Sequence, residues 1–272
     1  MDEFHTENRK NWEERAALHP ATDFYDVEGF LAGGSSLQSL EHEELGDVSG
    51  KTMLHLQCHF GLDSLSWARE GASVTGVDYS TQAIEKAREL RDETGLDAEF
   101  IAADIYDLEN HLDERFDIVF TSYGVLCWLS DLGAWAELIE QFLEPGGTFY
   151  IAEAHPYMGT LSALSADGTA QFEFPYFHDD LPKRYDADGS YAAPDASFDH
   201  PTTYQWYHSM SDILNALLSA GLDIEFVHEH PFGTFKMFES MEQADDGWWY
   251  VPGLEIDLPF TFSLKATKSE KN

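Results

Sequence analysis

The chain has 272 residues, of which 43% are hydrophobic, so it is long enough to bury a large core and too apolar to remain disordered. It carries 51 acidic and only 15 basic residues, a formal net charge of −36, which argues against nucleic acid as a partner because phosphate binding needs Lys and Arg. No apolar run approaches the roughly 20 residues that span a bilayer, and the acidic start is unlike a signal peptide, so we expect a cytoplasmic protein that does not bind membranes.

The acidic residues are spread along the whole chain, and their excess predicts a protein adapted to high salt, where screening removes the self-repulsion. Its melting temperature should then rise between dilute buffer and molar salt. The two cysteines, Cys58 and Cys127, fall in or beside apolar segments and are predicted to be free thiols. His55, Cys58 and His59 lie close together in the sequence but fit no standard zinc spacing, so no metal site is predicted.

The first half of the chain alternates strands with helices. A helix is predicted over 6–18, followed by a loop-rich stretch that contains Pro20 and the run 33–36. The predicted strands are 52–56, 73–77, 98–102, 116–121 and 147–153, and the predicted helices between them are 62–70, 80–93, 106–112 and 131–143. This alternation favours an α/β fold, in which a parallel sheet of Rossmann-like type has helices on both faces.

The second half is less regular. Two alternating runs, 172–176 and 204–208, are predicted to pair as an antiparallel arm or a small added sheet. A helix over 210–220 and strands over 222–229 and 260–265 follow, and the two strands are expected to form a hairpin at the sheet edge. The expected organisation is an N-terminal helix and candidate lid (1–49), a cofactor-binding core (50–154), a substrate-side insertion (155–208) and the C-terminal part of the core (209–272).

An acidic residue ends the second predicted strand. The first strand runs into the turn Gln57-Cys58-His59-Phe60-Gly61, and the second ends at Asp78. A carboxylate at this place lies where the ribose of an adenosine-containing cofactor crosses the first turn, and it can accept hydrogen bonds from both ribose hydroxyls. The unit therefore predicts a site for such a cofactor. The alternative is that Asp78 is only a turn residue at a strand end.

Further segments follow in the order that a known family uses: Ala103-Asp104-Ile105, the strand 116–123 and the turn Leu143-Glu144-Pro145-Gly146-Gly147. The chain resembles the class I S-adenosylmethionine-dependent methyltransferases, whose seven-stranded sheet has an antiparallel last strand. The resemblance covers residues 50–154 and, by layout, 210–267. It implies S-adenosyl-L-methionine as the cofactor and methyl transfer as the activity.

The first motif departs from the family pattern. The family has an acid in the strand and then Gly-x-Gly-x-Gly, whereas those places here hold His55, Gln57, His59 and Gly61. Glycines in such loops allow close approach to a pyrophosphate, and S-adenosylmethionine has no phosphate, so the need for bare backbone is weaker. A Gln side chain can instead hydrogen-bond the amino acid part of the cofactor.

The resemblance also implies residue roles. Asp78 would hold the ribose, Tyr79 would flank the adenine, and Asp104 would accept from the adenine amino group, unless it only caps the next helix. Cys58 has packing as its alternative role. The candidate cofactor residues are Gln57, Cys58, Gly61, Asp78, Tyr79, Asp104, Ile105 and Ser122.

The candidate catalytic residues are His155, which follows the fifth strand and can act as a general base, and Tyr123. The alternative for His155 is a loop histidine in a polar network. The acceptor pocket is predicted to draw on the aromatic side chains Tyr123, Trp128, Tyr157, Trp206, His208, Trp248 and Trp249, and the lid on Trp12, Phe24 and Tyr25.

The sequence therefore predicts methyl transfer to a small-molecule acceptor whose reacting atom, oxygen, nitrogen or carbon, it does not specify. One alternative is an NAD(P)-dependent oxidoreductase, which needs the glycine loop for its pyrophosphate, and Gln57, Cys58 and His59 argue against it. The other is a non-catalytic protein of the same fold that binds an adenosine cofactor. Monomer and homodimer both remain open.

Overall fold

The structure is a computed structural model that describes residues 2–177 and 181–270. Its strands, in chain order, are β1 (Thr52–Leu56), β2 (Ser73–Asp78), β3 (Ala98–Ala102), β4 (Phe116–Ser122), β5 (Leu143–Ala154), β6 (Leu161–Leu164), β7 (Ala170–Phe172), β8 (Lys183–Asp186), β9 (Thr202–Gln205), β10 (Leu222–His230), β11 (Glu242–Gln243), β12 (Trp249–Tyr250) and β13 (Thr261–Lys268). Its helices are α1 (Glu3–Leu18), α2 (Val27–Leu31), α3 (Ser39–Leu45), α4 (Leu62–Arg69), α5 (Thr81–Thr94), α6 (Leu132–Phe142) and α7 (Met210–Ser219).

Seven of the strands form the central sheet, in the order β10-β13-β5-β4-β1-β2-β3. The pairs among β1 to β5 are parallel, whereas β13 is antiparallel to both of its neighbours, β5 and β10. The predicted fold class is therefore confirmed, including the antiparallel last strand. The predicted hairpin at the edge is present, with β10 outermost and a long connection, 231–260, before β13.

Hydrophobic layers cover both faces of the sheet because successive strand residues point to opposite sides. Leu54 and Leu56 of β1 pack into the cluster that includes Trp135 of α6. Met53 packs into the other cluster, with Trp67 of α4. The sheet is thus buried on both sides, and its carboxyl edge is where the parallel strands present their end residues.

The helix ends follow the local sequence signals. Ser80 caps α5 by accepting a hydrogen bond from the amide of Ala83, and Gly95 ends that helix in the left-handed conformation (φ 68°). Ser209 and Asp212 form a reciprocal capping box at the start of α7. These caps fix the helices that frame the carboxyl edge of the sheet.

The stretch 20–49 is loop-rich, as expected, and also contains the short helices α2 and α3. The expected strand pairing within the insertion was wrong. The runs 172–176 and 204–208 do not pair with each other: β7 pairs with β6, and β9 pairs with β8. Each run finds a partner nearer along the chain, which costs less loop-closure entropy than joining the two runs. Within the described ranges, no helix is long and apolar enough to cross a membrane.

Candidate active site

A cavity of about 890 Å³ opens at the carboxyl edge of the sheet, near the upper end of the roughly 300–1000 Å³ usual for small-molecule sites. The ends of β1, β2 and β4 and the segment after β3 form its floor. Segments from α1, the loop before α2, the insertion and the loops around β11 and β12 form its walls. All eight candidate cofactor residues line it: Gln57, Cys58, Gly61, Asp78, Tyr79, Asp104, Ile105 and Ser122.

The turn after β1 has the backbone shape of a glycine-rich turn without its first two glycines. Gln57 and His59 adopt the left-handed conformation, with φ of 55° and 52°, and Gly61 does so with φ of 81°. For the two non-glycine residues this costs roughly 1–2 kcal/mol each. The three places at which the family has glycine are therefore all left-handed in this chain, and two of them carry side chains.

Gly61 is needed for packing. A Cβ atom built on it would lie 2.7 Å from Cε1 of Phe100 and 3.0 Å from Cβ of Ala87, so strand β3 and helix α5 leave no room for a side chain. Gln57 and His59 face no such restriction in this structure. The motif thus keeps the glycine that serves close packing of helix and strand.

Asp78 lies at the tip of β2 and is 8% exposed. Its Oδ2 accepts a hydrogen bond from the amide of His59 at 2.9 Å, and its Oδ1 accepts one from the amide of Ser80 at 2.9 Å. Burial raises the pKa of Asp78 to about 6, although the two amides favour the charged form. The carboxylate holds the turn after β1 in place and keeps lone pairs for hydroxyl donors from a ligand.

At the next strand, Tyr79 and Ile105 line the cavity beside Asp104. Oδ1 of Asp104 accepts the amide of Tyr106 at 3.1 Å and so caps the 3-10 turn Ile105–Asn110. Asp104 therefore caps this turn and also lines the cavity, which is possible because its carboxylate has two oxygens.

Asp63, which was not predicted from the sequence, also lines the cavity. Its Oδ1 accepts from the hydroxyl of Ser36 at 2.6 Å and its Oδ2 from that of Ser122 at 3.0 Å. Burial raises the pKa of Asp63. Acidic residues are common in the first turn of a helix, where they interact favourably with the helix dipole. Nothing in the sequence therefore marked Asp63 as a site residue.

The N-terminal helix contributes directly to the cavity. Trp12 lines it and packs edge-on against His59 and Trp128, with ring centroids 5.4 Å apart in both pairs. Glu13 accepts from the amides of Thr81 and Gln82, each at 2.9 Å, and so binds α1 to the start of α5 next to Asp78. Trp12, Phe24 and Tyr25, the predicted lid residues, all line the cavity.

A chain of side chains links the N-terminal segment, the turn after β1 and the insertion. Nδ1 of His19 lies 3.0 Å from Nε2 of His59, and Nε2 of His19 lies 3.0 Å from Oγ of Ser190. The hydroxyls of Tyr25 and Tyr191 are hydrogen-bonded to each other. Burial lowers the pKa of His19 to about 4, so this network is built from neutral imidazoles at neutral pH. Its partners are up to 171 residues apart, and no local pattern could have indicated it.

Of the two catalytic candidates, Tyr123 lines the cavity and His155 does not. Tyr123 lines the cavity, and burial raises the pKa of its hydroxyl well above the ordinary 10, so it remains a neutral phenol. His155 does not line the cavity. Its Nε2 contacts Oε1 of Glu229 at 2.8 Å and its Nδ1 accepts the amide of Tyr157 at 3.1 Å, so both ring nitrogens are engaged. The structure does not bring His155 to the site, and the polar-network alternative describes it.

The aromatic candidates also divide. Tyr123, Trp128 and Trp249 line the cavity, whereas Tyr157, Trp206, His208 and Trp248 are not among its lining residues in the described part of the chain. Trp206 stacks on His5 with ring centroids 5.0 Å apart, and Nε2 of His208 lies 2.8 Å from the carbonyl oxygen of Leu129. Sequence alone could not separate these packing residues from the lining residues.

Comparisons with known proteins show that this chain is similar to methyltransferases. A family model described as a methyltransferase domain matches residues 54–151. The ubiquinone biosynthesis O-methyltransferase of Photorhabdus laumondii is 31% identical over 107 residues, which cover 39% of this chain and 44% of that protein. The matched part thus spans less than half the length of this relative.

Solved structures extend the likeness across most of the fold. An S-adenosylmethionine dependent methyltransferase from Mesorhizobium loti has a TM-score of 0.62 at 22% identity and covers 88% of this chain and 100% of its own. The glycopeptide N-methyltransferase MtfA, solved with S-adenosyl-L-methionine, has a TM-score of 0.53 at 17% identity and covers 90% of both chains. At these identities the likeness establishes the fold.

The fold is that of the class I S-adenosylmethionine-dependent methyltransferases. A family model for the methyltransferase domain matches residues 54–151, and the predicted family resemblance is confirmed. The oxidoreductase and the non-catalytic binding protein gain no support from these comparisons.

Proposed function

We propose that this protein transfers a methyl group from S-adenosyl-L-methionine to a small-molecule acceptor. The observation that carries the proposal is the pairing of Asp78 with the left-handed turn at Gln57 and His59, both opening into one cavity. An acid at this place accepts hydrogen bonds from a ribose in folds of this type, and the turn borders the same space.

The residues present fit the cofactor. Asp78 would accept from the ribose hydroxyls, Tyr79 and Ile105 would border the adenine, and Asp104 would accept from its amino group. Gln57 donates its Nε2 to the carbonyl oxygen of Val125 at 3.3 Å, which turns its Oε1 the other way. That buried oxygen has no hydrogen-bond partner among residues 2–177 and 181–270, so it is available to a ligand donor.

The bound cofactor would supply an activated methyl group, and the chain's own residues align the acceptor and exclude water. Trp12, Trp128 and Trp249 provide apolar wall for a partly apolar acceptor. Holding the acceptor in line with the methyl donor, in a site from which water is excluded, supplies much of the acceleration for such a transfer. Tyr123, as a neutral phenol, can donate a hydrogen bond to the acceptor.

We also propose a division of labour along the chain. Residues 50–154 form the cofactor half, and residues 1–49 with 155–208 form its cover. The contacts of His19 with Ser190 and of Tyr25 with Tyr191 support this division, because they join the two cover segments above the turn after β1. The free state of Cys58 and Cys127 supports a reducing cytoplasm as the location.

The relatives named for ubiquinone biosynthesis favour an oxygen acceptor, and the aromatic walls favour a ring-containing one. The insertion and the loop 231–260, which supply acceptor-facing walls such as Tyr191 and Trp249, lie outside the family match at 54–151. The identity of the acceptor therefore has to come from a screen.

Calorimetric titration in molar KCl tests the proposal, with S-adenosylmethionine, S-adenosylhomocysteine and NAD as ligands. We expect micromolar binding of the first two and none of NAD. Asp78→Ala should weaken binding by about 100-fold, since it removes a buried charged acceptor. Absence of binding by the wild type, or a preference for NAD, would overturn the proposed function.

A further inference from the structure

The Asp63 carboxylate has no positively charged side chain as an ion-pair partner among the described residues. Both of its hydrogen-bond donors, the hydroxyls of Ser36 and Ser122, are neutral. No Lys, Arg or His within the described ranges forms an ion pair with it, although it lies at the floor of the cavity. Asp63 is partly buried, and a carboxylate that is partly removed from water is more stable when a positive group pairs with it.

Two further buried groups lack a hydrogen-bond partner among residues 2–177 and 181–270. One is Oε1 of Gln57, a residue that lines the cavity. Glu41 is 1% exposed, and its Oε2 likewise has no hydrogen-bond partner in the part of the chain that the structure describes. Glu41 lies near enough to Asp63 for the two charges to affect each other.

The two acids Glu41 and Asp63 differ in the form that their surroundings favour. Burial, followed by the charge of Asp63, raises the pKa of Glu41 to about 8, so Glu41 is mostly protonated at neutral pH. Both oxygens of Asp63 accept hydrogen bonds from hydroxyls, which fits its charged form, so Asp63 is the member of the pair that a cation would meet. Within the described residues, no group of three or more metal-ligating side chains is present.

We propose that Asp63 receives the ammonium group of the cofactor's amino acid part, with Gln57 of the same cavity as a second acceptor. This inference rests on the proposed function. The cofactor carries two cations, a sulfonium and an ammonium, and only the ammonium has N–H groups to donate to these oxygen acceptors. The carboxylate that the family places within the first strand is replaced by His55 here, and Asp63 reaches the same floor of the cavity through Ser122, whose Oγ is 3.4 Å from Nε2 of His55 and 3.0 Å from Oδ2 of Asp63.

The test compares two ligands that share the adenosine and differ in the amino acid part. S-adenosylhomocysteine has the ammonium and carboxylate, whereas 5′-methylthioadenosine lacks both. Their dissociation constants would be measured by calorimetry on the wild type and on Asp63→Asn. We expect the wild type to favour S-adenosylhomocysteine, and the variant to reduce that preference by about 10- to 100-fold, with the affinity for methylthioadenosine unchanged.

Asp104→Asn is the matched control at the adenine end of the same cavity. It should weaken both ligands by the same factor and leave their ratio unchanged. If Asp63→Asn also weakens both ligands equally, or leaves the ratio as in the wild type, the inference is overturned.

A wild type that binds both ligands equally well also overturns it, while a wild type that binds neither overturns the proposed function instead. Circular dichroism shows whether each variant folds. If Asp63→Asn does not fold, Gln57→Met removes the second acceptor alone, and an unchanged ratio in that variant would equally contradict the inference.

Discussion

The cofactor half, residues 50–154, and its cover, residues 1–49 with 155–208, are built on different principles. In the cofactor half most candidate residues lie at or just after the end of a strand, and the next element along the chain helps to position them, as Ser80 and α5 follow Asp78. In the cover the functional contacts join residues far apart, such as His19 and Ser190. Contacts between residues that are close in the sequence can be predicted from it, whereas contacts between distant residues become visible only in the folded chain.

The largest effect is expected in the cofactor half, from Gly61→Ala. The new Cβ would lie 2.7 Å from Phe100 in a residue with φ of 81°, so overpacking and left-handed strain add together. We expect the free energy of unfolding to fall by about 2–4 kcal/mol, measured by urea denaturation in molar KCl. Gly95→Ala, at a helix end with φ of 68° and open space around it, is the control and should lose only the strain of about 1 kcal/mol. Equal losses in the two variants would show that packing at Gly61 is unimportant.

The pH dependence of cofactor affinity also tests the cofactor half. Burial raises the pKa of Asp78 to about 6, and only the ionised carboxylate accepts from both ribose hydroxyls. Affinity for S-adenosylhomocysteine should therefore be constant above about pH 7 and fall as the pH drops through 6, approaching tenfold per unit. Asp78→Asn should bind weakly and lose this dependence. A wild-type affinity that stays flat down to pH 5 would contradict the assignment of Asp78.

The sequence predicted the cofactor half well for a physical reason. The strands β1 to β5 are apolar runs bounded by Gly, Pro and Asp, and these signals depend on neighbours in the chain. Asp78 and Asp104 were named as candidates because they follow such runs, and both line the cavity. His155 was named by the same logic, but it turns towards Glu229 and does not line the cavity.

The cover was predicted only in outline. Trp12 and Tyr25 were proposed as lid residues from their apolar character, and both line the cavity. Glu13 and His19 were missed as site residues because their partners, the amide of Thr81 and the ring of His59, come from distant segments. The pairing of β8 with β9 was not predicted, because an alternating run indicates a strand but not which other strand it pairs with.

Trp12→Ala tests whether the cover takes part in cofactor binding. The side chain packs on His59 and Trp128 above the turn after β1, so its removal should weaken S-adenosylhomocysteine binding by about tenfold. Phe4→Ala on the same helix is the control: Phe4 contacts Tyr204 and does not line the cavity, so this change should lower stability and leave affinity unaltered. If Trp12→Ala lowers stability alone, residues 1–49 are structural and not a cover.

The smallest effect is expected from Gln57→Gly, which restores the first glycine of the family motif. Relief of the left-handed conformation at φ of 55° gains roughly 1 kcal/mol, but the greater chain entropy of glycine costs 0.5–1 kcal/mol, and the 3.3 Å hydrogen bond to Val125 is lost. The free energy of unfolding should therefore change by less than about 1 kcal/mol.

A large gain would mean that the Gln57 side chain contributes nothing to the fold and that its strain is tolerated for ligand binding alone. A large loss would mean that the hydrogen bond to Val125 ties β1 to the segment after β4. Together with Gly61→Ala, this variant separates the two duties of a glycine motif, close packing of the chain and close approach to a ligand, and only the first is retained by a glycine in this chain.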